Sequence, residues 1–305
     1  MIRRAAIDIG TNTILLVIVD VSSDGSMQVV QDEHRIVRLG ERVDADRTIT
    51  DAARRRAKAA MIEFDDLCRR LNVEEIRIGA TSAMRDARNA TEVLSELSSI
   101  VGVPIVVING EDEGRLTYIG TIGTLDHTPA RVAVIDVGGG STELVLGHGR
   151  DVFSTTSVDI GAVRDRERSM PLLPLTLHDY QTVRHNFLER LAQSMPAEIN
   201  IDIALAVAGT PTALAMLQSG MSVFDTASID GYVLEAQDIH DWAFRLSTTP
   251  LTEDDLSCID PRRADILPVG ATILSTIVER YKIPSVTVSV RGLRYGIASN
   301  FWDIR

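Results

Sequence analysis

Two stretches of the chain share one pattern, in which an apolar run leads into a short polar turn and a second apolar run follows. The first stretch has an apolar run that ends at Ile9, a turn over residues 10–13 and a second run over residues 14–19. In the second stretch, residues 132–135 lead into a glycine-rich turn, and residues 144–146 follow it. Apolar runs rich in β-branched residues and bounded by turn residues are typical of strands. Each stretch is therefore predicted to be strand, turn and strand, with a third strand after the next turn.

The remainder of the chain alternates predicted helices and strands. Apolar residues at helical spacing predict a helix that begins after Thr50, a typical N-cap residue, and ends near Leu71. Further helices are predicted over residues 89–100 and 175–195, and helical segments near residues 213–218, 236–247 and 263–281. Short apolar runs predict strands over residues 75–80, 104–108, 203–208 and 285–290. This alternation predicts an α/β fold.

Length and composition predict a globular protein of two domains. A chain of 305 residues is expected to form about two domains. We place them at residues 1–124 and 125–305, with the last helix able to pack back on the first domain. No apolar run approaches the ~20 residues of a membrane span, and the N-terminus shows no signal-peptide pattern. A cytoplasmic protein without membrane association is therefore predicted.

Charge and cysteine content narrow the expected partners. A formal net charge of −12 argues against a general nucleic-acid binder. It does not exclude a polyanionic substrate, because a local arginine cluster beside a metal ion can hold one. Cys68 and Cys258 are the only cysteines and have no metal-ligand spacing, which fits a reducing cytoplasm.

The glycine-rich turn carries the residues whose chemistry is clearest. Gly138, Gly139 and Gly140 let backbone N–H groups approach a phosphate closely, because no side chains intervene. Asp136 and Glu143 flank the glycines, and carboxylate oxygens are ligands that Mg²⁺ prefers. Glycines for phosphate and carboxylates for metal in one loop predict phosphoryl chemistry. Because a strand and not a helix follows the loop, a dinucleotide-binding fingerprint and a P-loop are rejected.

Several short motifs, taken in order along the chain, resemble those of the exopolyphosphatase / guanosine pentaphosphate phosphatase family. They cover nearly the whole chain, and their order makes the set specific although each motif is short. The motifs are residues 8–13 (DIGTNT), 80–85 (ATSAMR), 110–116 (GEDEGRL), 136–143 (DVGGGSTE), 161–164 (GAVR), 209–210 (GT) and 292–294 (GLR). The chain departs from the family's usual pattern at Gly114, where the family has alanine, and at Tyr295, where it has glutamate.

The resemblance implies a fold, an activity and a set of site residues. The fold is the two-domain actin-like ATPase (ribonuclease H-like) fold, with a strand–phosphate loop–strand unit in each half and a cleft between the domains. The activity is hydrolysis of a terminal phosphoanhydride with Mg²⁺ or Mn²⁺. By position, Glu113 matches the catalytic base and Arg85 a phosphate-binding arginine. Metal-binding acids are implied at Asp136, Glu143 and Asp8, and phosphate-binding residues at Gly10, Thr11, Asn12, Thr13, Gly138, Gly139, Gly140 and Ser141.

The role of Glu113 rests on this resemblance. Without it, Glu111, Asp112 and Glu113 would all be interpreted as acids that offset the dipole at a helix N-terminus, and Glu111 and Asp112 keep that interpretation. No cysteine or histidine lies in the motifs. Direct attack by water, with Glu113 as the base, is therefore favoured over a covalent phosphoenzyme.

Four functions stay open at this stage. The preferred one is an exopolyphosphatase that releases orthophosphate from the ends of inorganic polyphosphate. The alternatives are a guanosine pentaphosphate (pppGpp) 5′-phosphohydrolase with the same site, and a sensor that only binds guanosine tetraphosphate (ppGpp). An actin-like ATPase or kinase would need an adenosine pocket that the sequence does not reveal. The presence of Glu113, Asp136 and Glu143 together argues against the sensor. Formation of a homodimer is also left open.

Overall fold

The computed structural model describes residues 1–123 and 129–303 and divides the chain into two compact units. The first unit comprises Met1–Gly120 together with Gly292–Arg305, and the second comprises Thr121–Arg291. The predicted boundary between residues 124 and 125 lies outside the described residues. Across the described ranges, no helix combines the length and the apolar character needed to span a membrane.

A five-stranded sheet forms the centre of the first unit. β1 (Ile2–Ile9), β2 (Thr13–Val21) and β3 (Met27–Ile36) form an antiparallel meander, and β4 (Glu75–Ala80) and β5 (Ile105–Val107) continue the sheet parallel to β1. The strand order is β3-β2-β1-β4-β5. β1 is buried from Arg4 to Ile9, as its place between β2 and β4 in the sheet requires.

Five helices follow or connect these strands. They are α1 (Val43–Asp46), α2 (Asp51–Arg70), α3 (Ser82–Asp86), α4 (Ala90–Val101) and α5 (Gly110–Ile122). α2 begins as predicted, because the Thr50 hydroxyl accepts a hydrogen bond from the Ala53 N–H at 3.2 Å. Its apolar residues at spacings of three and four, among them Phe64, are buried in the core of the first unit.

A six-stranded sheet forms the centre of the second unit. Its strands are β6 (Arg131–Val137), β7 (Thr142–His148), β8 (Asp151–Val158), β9 (Ile203–Val207), β10 (Val233–Glu235) and β11 (Ser285–Val288). β6, β7 and β8 form an antiparallel meander, and β9 and β11 run parallel to β6. The order β8-β7-β6-β9-β11 repeats the order of the first sheet, with β10 added at the edge. The predicted duplication of a strand–loop–strand unit in an α/β fold is therefore confirmed.

The helices of the second unit cover this sheet. They are α6 (Ala162–Arg168), α7 (Leu177–Ser194), α8 (Gly209–Ser219), α9 (Thr226–Ile229), α10 (Ala236–Thr248), α11 (Glu253–Cys258) and α12 (Leu267–Arg280). α12 is buried from Leu267 to Val278, in keeping with its nearly uniform apolar sequence. The helices predicted near residues 213–218, 236–247 and 263–281 are confirmed as α8, α10 and α12, although α8 begins at Gly209.

The last helix, α13 (Leu293–Ala298), packs on the first sheet. Arg294 donates two hydrogen bonds of 2.9 Å to the carboxylate of Asp32, and the Tyr295 hydroxyl donates a third at 2.8 Å. A glutamate at position 295 would instead bring a second carboxylate to Asp32. Gly296 lies against the backbone of Leu116, where a Cβ atom would clash, so α13 packs closely on α5.

Candidate active site

Three segments that follow parallel strands carry the site residues predicted for the first unit. The loop of residues 10–12 follows β1, α3 with Arg85 follows β4, and α5 with Glu113 follows β5. The carboxyl ends of parallel strands meet at one edge of a sheet, which is where ligands bind in open α/β folds. The first loop, Arg85 and Glu113 therefore lie at the same edge of one sheet.

Backbone hydrogen bonds join these three segments just beyond the strand ends. The Thr81 N–H, which precedes α3, donates to the carbonyl of Ile9 at 3.1 Å. The Ile108 N–H, which precedes α5, donates to the carbonyl of Ala80 at 2.9 Å. The relative positions of the first loop, α3 and α5 are thus fixed by the continuation of the sheet.

Glu113 and Arg85 form a close ion pair at this edge. Arg85 Nη1 donates to Glu113 Oε2 at 2.6 Å and to the carbonyl of Ile108 at 2.7 Å. Glu113 is buried, with only 7% of its surface exposed. Arg85 is thus held by both a carboxylate and a carbonyl, and the Glu113 side chain has a defined orientation.

Burial raises the pKa of Glu113 above its usual range, and the charge of Arg85 and its hydrogen bond oppose that rise. Desolvation disfavours the ionised form of a carboxyl group, whereas a neighbouring cation favours it. A carboxylate with a raised pKa accepts a proton more readily than an exposed one. This environment is the one that general-base catalysis near neutral pH requires.

The two acids before Glu113 have different surroundings. The Asn109 side chain caps α5, with Oδ1 accepting from the Asp112 N–H at 2.9 Å, and its Nδ2 donates to the Asp112 carboxylate at 2.8 Å. Glu111 is exposed to solvent. Both carboxylates lie in the first turn of α5, where a negative charge offsets the helix dipole.

The first loop is held by the segment of residues 37–40. The carbonyl of Asn12 accepts from two amides of this segment at 2.9 Å, and the carbonyl of Thr11 accepts from the Gly40 N–H at 2.8 Å. Gly40 lies so close to the Thr11 side chain that a Cβ atom would clash. The carbonyls of Thr11 and Asn12 are therefore engaged by protein.

The ends of the first loop are formed by residues of β1 and β2. The Gly10 N–H donates to the carbonyl of Thr13 at 3.0 Å and closes the turn. Asp8 lies one residue before the end of β1, opposite Leu15 of β2, and is 8% exposed. The structure thus places Asp8, Gly10, Thr11, Asn12 and Thr13 together in one hairpin of the first unit.

In the second unit, the glycine loop joins β6 to β7. The Gly138 N–H donates to the carbonyl of Ser141 at 3.0 Å. Asp136 and Glu143 face each other directly across the two strands. Glu143 is 1% exposed, and its Oε1 accepts a hydrogen bond from the Ser157 hydroxyl at 2.7 Å.

The start of α6 lies against this loop. The amides of residues 162–164 donate to the carbonyls of Gly138 and Gly139 at 2.8 to 3.1 Å. The buried side chain of Arg164 adds a hydrogen bond from Nε to the carbonyl of Gly140 at 2.7 Å. The three glycine carbonyls therefore all bond to α6, an arrangement that the motif of residues 161–164 alone did not indicate.

The pair Asp136 and Glu143 fits a divalent cation that shares its coordination with other ligands. Directly opposite residues on antiparallel strands have Cβ atoms about 4.5–5.5 Å apart on the same face. Mg²⁺ commonly binds one or two carboxylates and takes water and substrate phosphates for the rest. Within residues 1–123 and 129–303 there is no cluster of three or more histidine, cysteine, aspartate or glutamate side chains suited to a metal. Asp8, the third predicted ligand, belongs to the first unit.

Two contacts of the site could not have been found by sequence reasoning. Ser157 contacts Glu143 because β8 pairs with β7 in a register that places the two residues opposite each other. The carbonyl of Ile108, which holds Arg85, belongs to a backbone position, and any residue there could supply it. Arg164 belongs to the motif of residues 161–164, but nothing in that motif indicated its contact with the glycine loop.

Comparison with known proteins identifies related chains. A model of the Ppx/GppA phosphatase family matches residues 17–301. Exopolyphosphatase 2 of Mycobacterium tuberculosis is 35% identical over 314 residues, which cover 97% of both chains. Guanosine-5′-triphosphate,3′-diphosphate pyrophosphatase of Vibrio atlanticus is 30% identical over 304 residues, which cover 98% of this chain and 59% of that protein.

Solved structures of the same family are also similar to this chain. The crystal structure of an exopolyphosphatase-like protein superposes with a TM-score of 0.91 at 32% identity and covers 97% of this chain and 96% of its own. A Ppx/GppA family member from Aquifex aeolicus superposes with a TM-score of 0.81 at 28% identity, with the same coverage of both chains. These similarities extend over both units.

Proposed function

Because the chain belongs to the Ppx/GppA phosphatase family, we propose that it is an exopolyphosphatase, a hydrolase that releases orthophosphate from the ends of inorganic polyphosphate. The observation that carries the proposal is the buried ion pair of Glu113 and Arg85, with the raised pKa of Glu113, at the carboxyl edge of the first sheet. The similarity to exopolyphosphatase 2, which covers nearly all of both chains, supports the choice of substrate.

In the proposed reaction, Glu113 acts as the general base on a water molecule. The water oxygen attacks the terminal phosphorus, and its proton passes to the Glu113 carboxylate. The bond from that phosphorus to the bridging oxygen breaks, and the electron pair stays on the shortened polyphosphate. Orthophosphate leaves, and Glu113 returns its proton to solvent. Arg85 orients the Glu113 carboxylate and offers positive charge to the phosphate oxygens.

The two loops supply the proposed phosphate contacts. Phosphoryl transfer depends chiefly on positioning and on neutralising charge. In the first loop, the carbonyls of Thr11 and Asn12 are engaged by residues 37–40, so amides of the loop and the half-buried Asn12 side chain are assigned to phosphate oxygens. In the second loop, the carbonyls of residues 138–140 bond to α6 and the Gly138 N–H bonds to Ser141, so the amides of residues 139–141 are assigned to phosphate oxygens.

Asp136 and Glu143 are the proposed ligands of Mg²⁺ or Mn²⁺, with Asp8 as a further acid of the first loop. A bound ion would neutralise charge on the phosphate oxygens. The Ser157 hydroxyl restrains the Glu143 carboxylate, so that one of its oxygens keeps a fixed direction.

A second candidate is hydrolysis of pppGpp, whose terminal phosphoanhydride resembles a polyphosphate end. The match to the Vibrio atlanticus pyrophosphatase is the reason to test it, but that match covers only 59% of that protein, so polyphosphate stays the first candidate. Binding of ppGpp would follow from the same phosphate contacts. The cytoplasmic location and the homodimer stay predictions from the sequence.

Phosphate release with polyphosphate, pppGpp and ATP in parallel tests the proposal. Polyphosphate is expected to give the highest kcat/KM, ATP the lowest, and excess EDTA is expected to abolish turnover. The Glu113→Gln protein, purified in the same way, is the control for contaminating phosphatases. Preference for pppGpp would replace the first candidate with the second, and release from ATP alone would contradict both.

A further inference from the structure

We infer that Asp165 is a positioning residue, which holds the glycine loop of residues 138–141 in place through the start of α6. The inference rests on the proposed function, because that function makes the loop a phosphate-binding element. Asp165 does not belong to any of the motifs that resemble the family. Its proposed role is inferred from its contacts alone.

Asp165 is fully buried and its carboxylate is bonded on several sides. Oδ2 accepts from the Gly161 N–H at 3.0 Å, and Oδ1 accepts from the Ser169 hydroxyl at 2.7 Å. Arg190 of α7 donates from Nη1 to Oδ1 at 2.5 Å. A buried carboxylate is costly unless it is paired and hydrogen-bonded, and these contacts meet that condition.

Arg190 connects this carboxylate to a longer element. Its Nη2 donates to the carbonyl of Asp159 at 3.0 Å, and its guanidinium lies 5.9 Å from the ring centre of Phe187, a core residue of α7. α6 has only seven residues, and so short a helix gains little stability from its own hydrogen bonds. The bond from Arg190 of α7 to Asp165 therefore helps to hold α6 in position.

Gly161 links the position of α6 to that of the glycine loop. A Cβ atom at Gly161 would lie 2.5 Å from the oxygen of Gly139 and 2.5 Å from the carbonyl carbon of Gly140, so the backbones are in direct contact. The amides and the Arg164 side chain just beyond Gly161 hold the three glycine carbonyls. A displacement of the Gly161 backbone thus displaces the loop.

The chain offers a matched control in Asp255, another buried aspartate of the second unit. Asp255 accepts from the Thr252 N–H at 2.9 Å at the start of α11 and pairs with Arg245 at 2.7 and 2.9 Å. Asp255→Asn removes the same charge from the same kind of helix start. No hydrogen bond among the described residues joins Asp255 to the glycine loop.

The test measures the affinity of tripolyphosphate by calorimetry with Mg²⁺ present, in a Glu113→Gln background that slows hydrolysis. Asp165→Asn is expected to raise Kd about tenfold, because a loop displaced from its position loses a hydrogen bond to a charged group. Asp255→Asn is expected to keep Kd within about twofold of the parent value. It should nevertheless lower Tm by about as much as Asp165→Asn does. With Glu113 restored, Asp165→Asn is expected to raise KM more than it lowers kcat.

Conservative variants separate positioning from general destabilisation. Arg190→Lys, which keeps the charge near Asp165, is expected to restore most of the affinity that Arg190→Met loses. Ser169→Ala removes the hydroxyl that donates to Asp165 at 2.7 Å but keeps the ion pair with Arg190, so it should give a milder rise in Kd. This variant keeps the test valid if Asp165→Asn does not fold. An unchanged Kd in Asp165→Asn would overturn the inference, and so would an unchanged Kd in Ser169→Ala if only that variant folds. A rise in Kd of the same size in Asp255→Asn would also overturn it. Absence of turnover in the parent enzyme would contradict the proposed function instead, since Kd does not depend on turnover.

Discussion

At the scale of single residues, burial and partners distinguish Glu113 from the acids beside it. Glu111 is exposed and Asp112 bonds to the helix cap Asn109, whereas Glu113 is buried against Arg85. All three carboxylates lie in the first turn of α5. Glu113 combines a fixed orientation with a raised pKa, which is why it is assigned the proton transfer.

Glu113→Gln tests this assignment, because the substitution keeps the shape of the side chain and removes its basicity. We expect kcat to fall by about 10²–10⁴, the usual loss when a general base is removed. KM should change little, since phosphate binding is assigned to the loops and Arg85. Glu111→Gln is the matched control and should stay near wild type in steady-state kinetics, with folding checked by circular dichroism. A Glu113→Gln enzyme with normal kcat would exclude Glu113 as the base.

The pH dependence of kcat/KM provides a second test at this scale. The base must be deprotonated, and burial raises the pKa of Glu113, so activity should be lost on the acidic side at a pH above about 4.3, the usual value for glutamate. Arg85 lowers that pKa, so Arg85→Gln should move the acidic limb to still higher pH, besides weakening substrate binding. A limb that stays in place or moves to lower pH in Arg85→Gln would contradict the described ion pair.

The identity of these residues could be predicted from the sequence, but their environment could not. The motif of residues 110–116 indicated Glu113 by resemblance, and helix-dipole reasoning gave the roles of Glu111 and Asp112. The pairing with Arg85 depends on β4 and β5 being neighbours in the sheet. No local pattern encodes that adjacency, because hydrogen bonds between strands join residues distant in the chain.

At the scale of elements, α6 shows how a short helix without a periodic pattern can determine the shape of a binding loop. Gly161, which precedes it, has an extended backbone with φ of −157°, a conformation that any residue adopts. Its lack of a side chain is therefore required by the contact with Gly139 and Gly140 and not by backbone strain.

Gly161→Ala should accordingly impair binding more than folding. The added methyl group would displace the loop, so we expect KM for polyphosphate to rise about tenfold, as for the loss of one hydrogen bond to a charged group. Gly231→Ala is the control: its φ of +86° makes alanine cost about 1–2 kcal/mol, but no atom lies within 4 Å of the new methyl group. Steady-state kinetics and thermal unfolding of both variants make the comparison. Equal KM values in the two variants would contradict the account of α6.

Long elements with a clear period were predicted well, whereas the bounds of short helices were not. α2 begins after the predicted cap and ends one residue before the predicted end, because its 20 residues are long enough for the helical period to be clear. α3, α6 and α13 are five to seven residues long, too short for a period of 3.6 to emerge. Their positions are set by tertiary contacts such as those of Asp165 and of Asp32.

At the scale of the whole molecule, the two sheets repeat one strand order, and each presents a hairpin loop and crossover segments at its carboxyl edge. The duplication could be predicted because both hairpins share a strand–loop–strand pattern. The return of residues 292–305 to the first unit could be anticipated only in general terms. It depends on contacts such as those from Arg294 to Asp32.

The acidic balance of the chain predicts its preference for substrate length. A net charge of −12 repels a long polyanion outside the site, so extra phosphate units should add little to binding. We expect kcat/KM, counted per chain end, to be at least as high for short polyphosphates as for long polymer. The difference should shrink at high salt, which screens repulsion between exposed charges. A steep rise of kcat/KM with length at low salt would show instead that further phosphate units are bound.

A phosphorus NMR time course with a medium-length polyphosphate tests the central claim most directly. If the enzyme removes terminal phosphates, the orthophosphate signal grows, the internal signal falls and the end-group signal stays constant, because each cleavage consumes one end and creates another. Glu113→Gln should show the same course slowed by about 10²–10⁴. Growth of the end-group signal before orthophosphate appears, or an unchanged rate in Glu113→Gln, would contradict the account.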